Sequence, residues 1–236
     1  MPMDNNPPLG KPVNTGKLKK TAAFKLSLLP FCLGLIFFLP AGTFRYWQAW
    51  VYIAVLFLPM LGFVTHFLKK DPELLERRSR TKEKEKSQKR IMRLSLPVFA
   101  AAYLLPGFDR RFGWSAVPPL LSIIADLIIL AGYSLFVLVM RENRYASRVI
   151  EVEEGQKVIT TGPYSVVRHP MYLSGLIIYS LSPIALGSFW AMLPAALMVF
   201  IYVARIRGEE EVLTEKLPGY RDYLKQVKYR LVPGVW

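Results

Sequence analysis

Long uncharged apolar runs alternate with short, densely charged stretches along the chain, and this alternation restricts the fold more than any other feature. Hydrophobic residues make up 53% of the sequence while the formal net charge is +14, so apolar bulk and basic charge are segregated rather than spread over amphipathic faces. That is the pattern of a polytopic helical membrane protein, and it argues against a nucleic-acid-binding one. Candidate spans cover about residues 22–40, 47–68, 94–108, 117–140, 172–186 and 189–204. The third and the last two are short for roughly 30 Å of hydrocarbon at about 1.5 Å per residue, so tilting or packing inside a bundle is expected of them. Gly187 and Ser188 join the final pair, which reads as a hairpin. The expected fold is therefore all-α, a polytopic bundle of five to six transmembrane helices with a C-terminal helical hairpin.

Basic residues set the expected orientation. If all six segments cross, every one of the 31 Lys and Arg residues except Arg45, Arg110 and Arg111 falls on one side. The positive-inside rule makes that side cytoplasmic, with both termini on it, and the same charge attracts anionic membrane lipids. Residues 1–21 read as a flexible basic tail, and residues 22–140 as N-terminal spans interrupted by a charged loop at 69–93. That loop is either a helix lying along the headgroups or a solvated connection. The lone Cys32 lies inside the first span and reads as packing. No metal-ligand spacing, phosphate loop or nucleophile elbow is visible.

Polar residues of catalytic type concentrate in residues 141–236. TTGPYSVVRHPMY, residues 160–172, sets a Gly-Pro turn, a tyrosine and an Arg-His-Pro triplet directly before the hairpin 172–204. His169 is one of only two histidines, and Pro170 suits the first turn of a helix. The preceding residues, with Val149, Glu151, Lys157, Val158 and Ile159, read as extended backbone able to offer N–H and C=O groups to a ligand. Arg205 and Glu209 share a helical face beyond the hairpin, which would return them to the same interface. Farther on, Tyr220, Tyr223, Leu224 and Val227 form one stripe of a short helix that either closes a pocket or lies on the membrane. A bland reading stands beside these: Tyr164, Arg168 and Tyr172 as an aromatic belt with snorkelling arginine, Arg205–Glu209 as a surface pair. Asp126 is the one acidic residue deep in an apolar run, where an ionisable group is costly and a functional candidate by default.

TTGPYSVVRHPMYLSG, then RIRGEEEVL, then LPGYRDYLKQVKYRLVPGVW resemble the isoprenylcysteine carboxyl methyltransferase family, its bacterial relatives and the related phospholipid methyltransferases. The likeness runs from about residue 140 to 236, and DPELLERR and FDRRFGW upstream look like the bacterial branch. It implies a membrane methyltransferase, in a bacterial inner membrane, that binds S-adenosylmethionine in a cytoplasmic pocket and modifies a lipophilic or lipid-like acceptor. By the same resemblance, the cofactor contacts fall on Gln156, Lys157, Val158 and Ile159, on Tyr164, on His169, Pro170, Met171 and Tyr172, and on Glu209. The arginine on the acceptor side falls on Arg205. Gln156 and Lys157 depart from the family's side chains, so contact there is expected through the backbone. Two rivals stay open: a sterol-type reductase using NADPH, with Arg144, Arg148, Lys157 and Arg168 as phosphate ligands, and a non-catalytic lipid-binding protein.

Overall fold

The computed structural model describes residues 14–80, 83 and 85–236. Most of the tail expected at 1–21, and residues 81, 82 and 84 of the charged loop, lie outside the described residues. The elements are all helical: α1 (Thr15–Ala41), α2 (Trp47–Lys70), α3 (Pro72–Ser79), α4 (Lys86–Phe112), α5 (Pro119–Glu142), α6 (Pro170–Ala185), α7 (Met192–Lys216) and α8 (Tyr220–Gln226). A single 3-10 turn, Gly162–Ser165, interrupts the connection between α5 and α6. Four of these helices, α1, α2, α4 and α5, are long and apolar enough to cross a membrane, and α6 is a shorter apolar helix. At 16 residues, α6 reaches about 24 Å, and it packs along α5 inside the bundle. The chain is an integral membrane protein.

Helix ends follow local chemistry. Asn14 caps α1 by accepting the Lys17 N–H at 2.9 Å, so the helix starts within the basic lead, ahead of the apolar run. Asp71 does the same for α3, accepting from Leu74 N at 3.1 Å ahead of Pro72, a residue suited to the first helical turn. Gly42 and Gly113, both left-handed, end α1 and α4. The third span is not short. Lys86 to Arg93 are good helix formers with no breaker among them, and α4 carries them as its first turns.

Close helix crossings rest on missing side chains. A Cβ on Gly107 would lie 2.8 Å from the Phe37 carbonyl, where α4 crosses α1. One on Gly208 would lie 2.2 Å from Gln88 Nε2, where α7 meets α4. The core between α1, α2, α5 and α6 is built on Phe37, Tyr52, Ala49 and Ile129, all without exposed surface. Phe37 meets Tyr52 edge to face at 5.8 Å.

Passing up and down, the helices gather the start of α1, the end of α2, α3, the start of α4 and the end of α5 at one end of the bundle. Residues 143–169 and the second half of α7 join them there. At the opposite end Tyr46 Oη donates to the Leu186 carbonyl at 2.5 Å, and Asp109 takes Ser115 Oγ at 2.6 Å and Ser188 Oγ at 2.5 Å.

Candidate active site

Three separate stretches converge at the charged end. The first is residues 156–172, ending in the turn that feeds α6. Gly162 there has φ 56°, a left-handed value that costs glycine little, and Tyr164 follows it. The second is α7, which does not stop at the membrane. Its apolar half runs to Ala204, and helix formers then carry it unbroken to Lys216, placing Glu209 and Glu210 beyond the apolar segment. The third is the tail: α8 and the residues after it, pinned when Arg168 N donates to Tyr229 O and His169 N to Arg230 O, both at 2.9 Å.

Between them lies a cleft whose empty space, open mouth included, is about 500 Å³. Of the residues expected in the site, Gln156, Lys157, Val158, Ile159, Tyr164, His169, Met171, Tyr172 and Glu209 all line it. Pro170 is buried at the start of α6 and does not, because its ring is spent on the first helical turn. Arg205 also stands off the wall. Its guanidinium is used within the chain, donating to Tyr172 Oη at 3.1 Å, Gln88 Oε1 at 3.4 Å, Glu83 Oε2 at 3.3 Å and the Arg148 carbonyl at 2.9 Å. It holds Tyr172, and Tyr172 Oη in turn donates to Glu209. The pairing of Arg205 with Glu209 expected from helical spacing is thus relayed through a tyrosine from α6.

The wall also carries Asn143 and Leu217, which the sequence did not single out, beside Arg168, Leu213 and the α8 stripe, which it did. Tyr220 and Tyr223 of α8 close the cleft. Asn143 Nδ2 donates to Tyr164 Oη at 2.9 Å, and Tyr223 Oη donates to the Tyr164 carbonyl at 2.7 Å, so the turn is clamped from α5 and from the tail. Glu210, the neighbour of the expected Glu209, is the main electrostatic anchor. Its Oε1 takes Arg168 Nε at 2.7 Å and faces His169 Nε2 at 3.2 Å, and its Oε2 takes Arg230 Nε at 2.8 Å. An ionised carboxylate only accepts, so His169 presents Nε2–H to it. Arg168 also caps the carbonyls of Val227 at 2.8 Å and Lys228 at 2.7 Å. Burial alone would raise the Glu210 pKa, but hydrogen bonds from His169, Arg168 and Arg230 outweigh it and hold the group down at about 2.

One polar group of the wall is left over. Tyr220 is only 4% exposed, and its hydroxyl has no hydrogen-bond partner among the described residues. Burial, and then the charges of Glu210 and Glu209, raise its pKa, so the phenol stays a neutral donor. Burial likewise raises Tyr164 and Tyr223. Asp126 lies elsewhere, on the face of α5 turned to α6, where Ser122 donates to the Ile184 carbonyl at 2.9 Å. Both its oxygens are buried without a partner among the described residues.

The sequence pattern of the phospholipid methyltransferase family matches residues 120–220, which run from α5 through the cleft to the start of α8. The nickel-cobalt-cadmium resistance protein NccN of Alcaligenes xylosoxydans xylosoxydans is 31% identical over 78 residues, 33% of this chain. The match spans only 37% of that relative's length. Among solved structures, the eukaryotic intramembrane Ras methyltransferase ICMT (isoprenylcysteine carboxyl methyltransferase) superposes with a TM-score of 0.52 at 17% identity, covering 94% of this chain and 86% of that one. That likeness is one of fold. The chain shares its fold with that solved membrane protein, and its residues 120–220, which hold most of the cleft, match the phospholipid methyltransferase family pattern.

Proposed function

We propose that this protein is an integral-membrane methyltransferase that uses S-adenosylmethionine and modifies a lipophilic or lipid-like acceptor. The observation that carries the reading is the one cleft at the membrane surface in which residues 156–159, Tyr164, His169, Met171, Tyr172, Glu209 and Tyr220 meet. The fit to the cofactor is chemical. A carboxylate at Glu209 and an unpartnered hydroxyl at Tyr220 suit hydroxyl, amino and carboxylate groups, while Val158, Leu213 and Leu217 offer apolar walls to a ring.

When bound, the cofactor supplies a methyl group on a sulfonium for in-line transfer to a nucleophile. Placement and exclusion of water then matter more than acid–base machinery, which suits a wall with few titratable groups. Glu209 accepts from the cofactor, held in place by Tyr172. His169, tied through Nε2 to Glu210, orients the turn into α6. Tyr164 and Tyr172 pack the bound molecule, and α8 closes over it. Arg205 is a positioning residue acting through Tyr172. The basic end of the bundle, with both termini, faces the cytoplasm of a bacterial inner membrane, where the cofactor is soluble.

Calorimetry on the detergent-purified protein with S-adenosylmethionine, its demethylated product and NADPH tests the assignment. Binding of the first two and not the third is expected. NADPH binding alone would replace the reading with a reductase, and no binding at all with a lipid-binding scaffold. Glu209→Ala should weaken S-adenosylmethionine about tenfold, the value of one hydrogen bond to a charged group, with an unchanged yield of folded protein. An unaltered affinity removes Glu209 from the site.

A further inference from the structure

At the end of the bundle away from the cleft, three guanidinium groups gather around one turn, and none has a carboxylate partner among the described residues. Arg45 lies in the turn between α1 and α2, while Arg110 and Arg111 occupy the last turn of α4. Arg110 Nη2 donates to the Arg45 carbonyl at 2.9 Å. The Arg111 guanidinium reaches the same turn, its central carbon 3.8 Å from where a Cβ on Gly42 would stand. All three residues are exposed. The neighbouring carboxylate, Asp109, is buried and taken up by Ser115 and Ser188. At the cleft end, by contrast, cations are answered: Arg77 by Glu153 at 2.9 Å, and Arg168 with Arg230 by Glu210.

Helix dipoles explain only part of the cluster. A cation in the last turn of a helix faces the negative end of its dipole, which suits Arg110 and Arg111. Arg45 stands directly ahead of Tyr46, the residue that starts α2, where the dipole disfavours positive charge. Its side chain makes no hydrogen bond or ion pair with any described residue. Two further cations drawn to its turn add repulsion, so the arrangement lacks an anion from outside the chain.

The surroundings say which anion. Phe44 lies within the turn and Phe112 directly after Arg111, and with Trp50 and Trp114 each of these rings is exposed over half its surface or more. Trp50 Nε1 donates to the Phe44 carbonyl at 3.0 Å, and Phe112 stacks on Trp114 at 5.4 Å with the Arg111 guanidinium 5.8 Å from its ring. Exposed aromatic rings beside apolar spans mark the depth of the membrane–water interface, where lipid phosphates lie. Further along α1 and α4, exposed Leu39 and Phe108 continue the surface towards the hydrocarbon. A soluble anion has no use for such an apolar flank, and a zwitterionic headgroup brings a cation of its own to the arginines. An anionic lipid matches both halves.

We propose that Arg45, Arg110 and Arg111 bind the phosphate of an anionic glycerophospholipid in the leaflet opposite the cleft, with Phe44, Trp50, Phe112 and Trp114 seating its glycerol and upper acyl chains. The site does not depend on the methyl-transfer reading of the cleft.

Tryptophan fluorescence reads this surface directly, because Trp47, Trp50, Trp114 and Trp190 lie at this end and Trp236 alone at the other. The full chain is reconstituted in phosphatidylcholine vesicles carrying either phosphatidylglycerol or phosphatidylcholine with brominated acyl chains at the same mole fraction, and quenching is compared. Phosphatidylglycerol should quench as a ligand held about tenfold more tightly than phosphatidylcholine, and the combined Arg45→Gln, Arg110→Gln and Arg111→Gln variant should abolish the preference. Arg45→Gln alone should lower it about threefold, and it carries the test if the combined variant does not fold. Replacing Lys17, Lys19 and Lys20 by Gln at the cleft end should leave the preference intact, as should inorganic phosphate added at the lipid's concentration. Equal quenching by the two lipids, or a preference unchanged in Arg45→Gln, overturns the proposal. A preference lost in the lysine variant would assign it to general surface charge, and one lost to inorganic phosphate would assign the arginines to a soluble anion, and either result overturns it as well.

Discussion

Asp109 and Glu210 are carboxylates buried to a similar degree at opposite ends of one bundle, 1% and 7% exposed, and their surroundings have little in common. Asp109 accepts from Ser115 N at 2.7 Å, from Ser115 Oγ and from Ser188 Oγ, and Ser188 Oγ in turn caps Ala191 N at 3.1 Å. Its donors are neutral, come from the two turns that follow α4 and α6, and tie those turns together. Glu210 gathers the guanidinium groups of Arg168 and Arg230 and the His169 ring on the flank of a cleft that also contains an unpartnered hydroxyl. Burial of a charge by itself is therefore no mark of function. The mark is a charged network that borders space and leaves a polar group unused.

The sharpest test of this contrast is a pair of substitutions. Glu210→Ala strands Arg168 and His169 in a buried site and frees the tail, and a loss of about 3–5 kcal/mol is expected together with loss of S-adenosylmethionine binding. Asp109→Ala leaves neutral hydroxyls that can turn to other acceptors, so about 2–3 kcal/mol is expected with cofactor affinity unchanged in whatever fraction stays folded. Denaturation in detergent followed by circular dichroism, with calorimetry alongside, reads both. If Asp109→Ala also removes cofactor binding from folded protein, the two ends are coupled and the contrast fails.

Acid should act on the Glu210 network. The Glu210 pKa falls on folding from its ordinary 4.5 to about 2, so the folded state binds fewer protons. The stability it contributes is complete above about pH 4.5 and is lost as the pH falls towards 2, roughly 3 kcal/mol over that window. Denaturation midpoints across the window should fall in the native chain and stay nearly flat in Glu210→Gln. Parallel declines would assign the acid sensitivity to other groups.

Legibility followed chain distance. The spans at α1, α2 and α5 and the turn before α6 were readable because hydropathy and the Gly-Pro and His-Pro steps are local signals. The length of α4 was not, since charge suggests a membrane boundary while helix propensity continues across it, whereas the helix past Arg205 was readable from the face that Arg205 shares with Glu209. Most of the expected cleft residues line the wall because they lie within one stretch, 156–172, plus Glu209. Glu210 was overlooked because its partners come from 42 residues earlier and 20 later, and no helical spacing reports them. Arg205 drew attention by sharing a face with Glu209, yet it works through a tyrosine of another helix.

The smallest change on stability is the most specific on function. Tyr220→Phe removes a buried hydroxyl that has no partner, so it takes away no hydrogen bond and only relieves an unsatisfied group. Stability should therefore stay within about 0.5 kcal/mol of the native chain or rise slightly. If that hydroxyl serves a ligand, S-adenosylmethionine should bind about fivefold to tenfold more weakly, a split that no purely structural tyrosine would produce. Calorimetry and denaturation on the one variant decide it. Unchanged affinity with raised stability would make Tyr220 a packing residue of the lid and place the cofactor's polar groups against Glu209 alone.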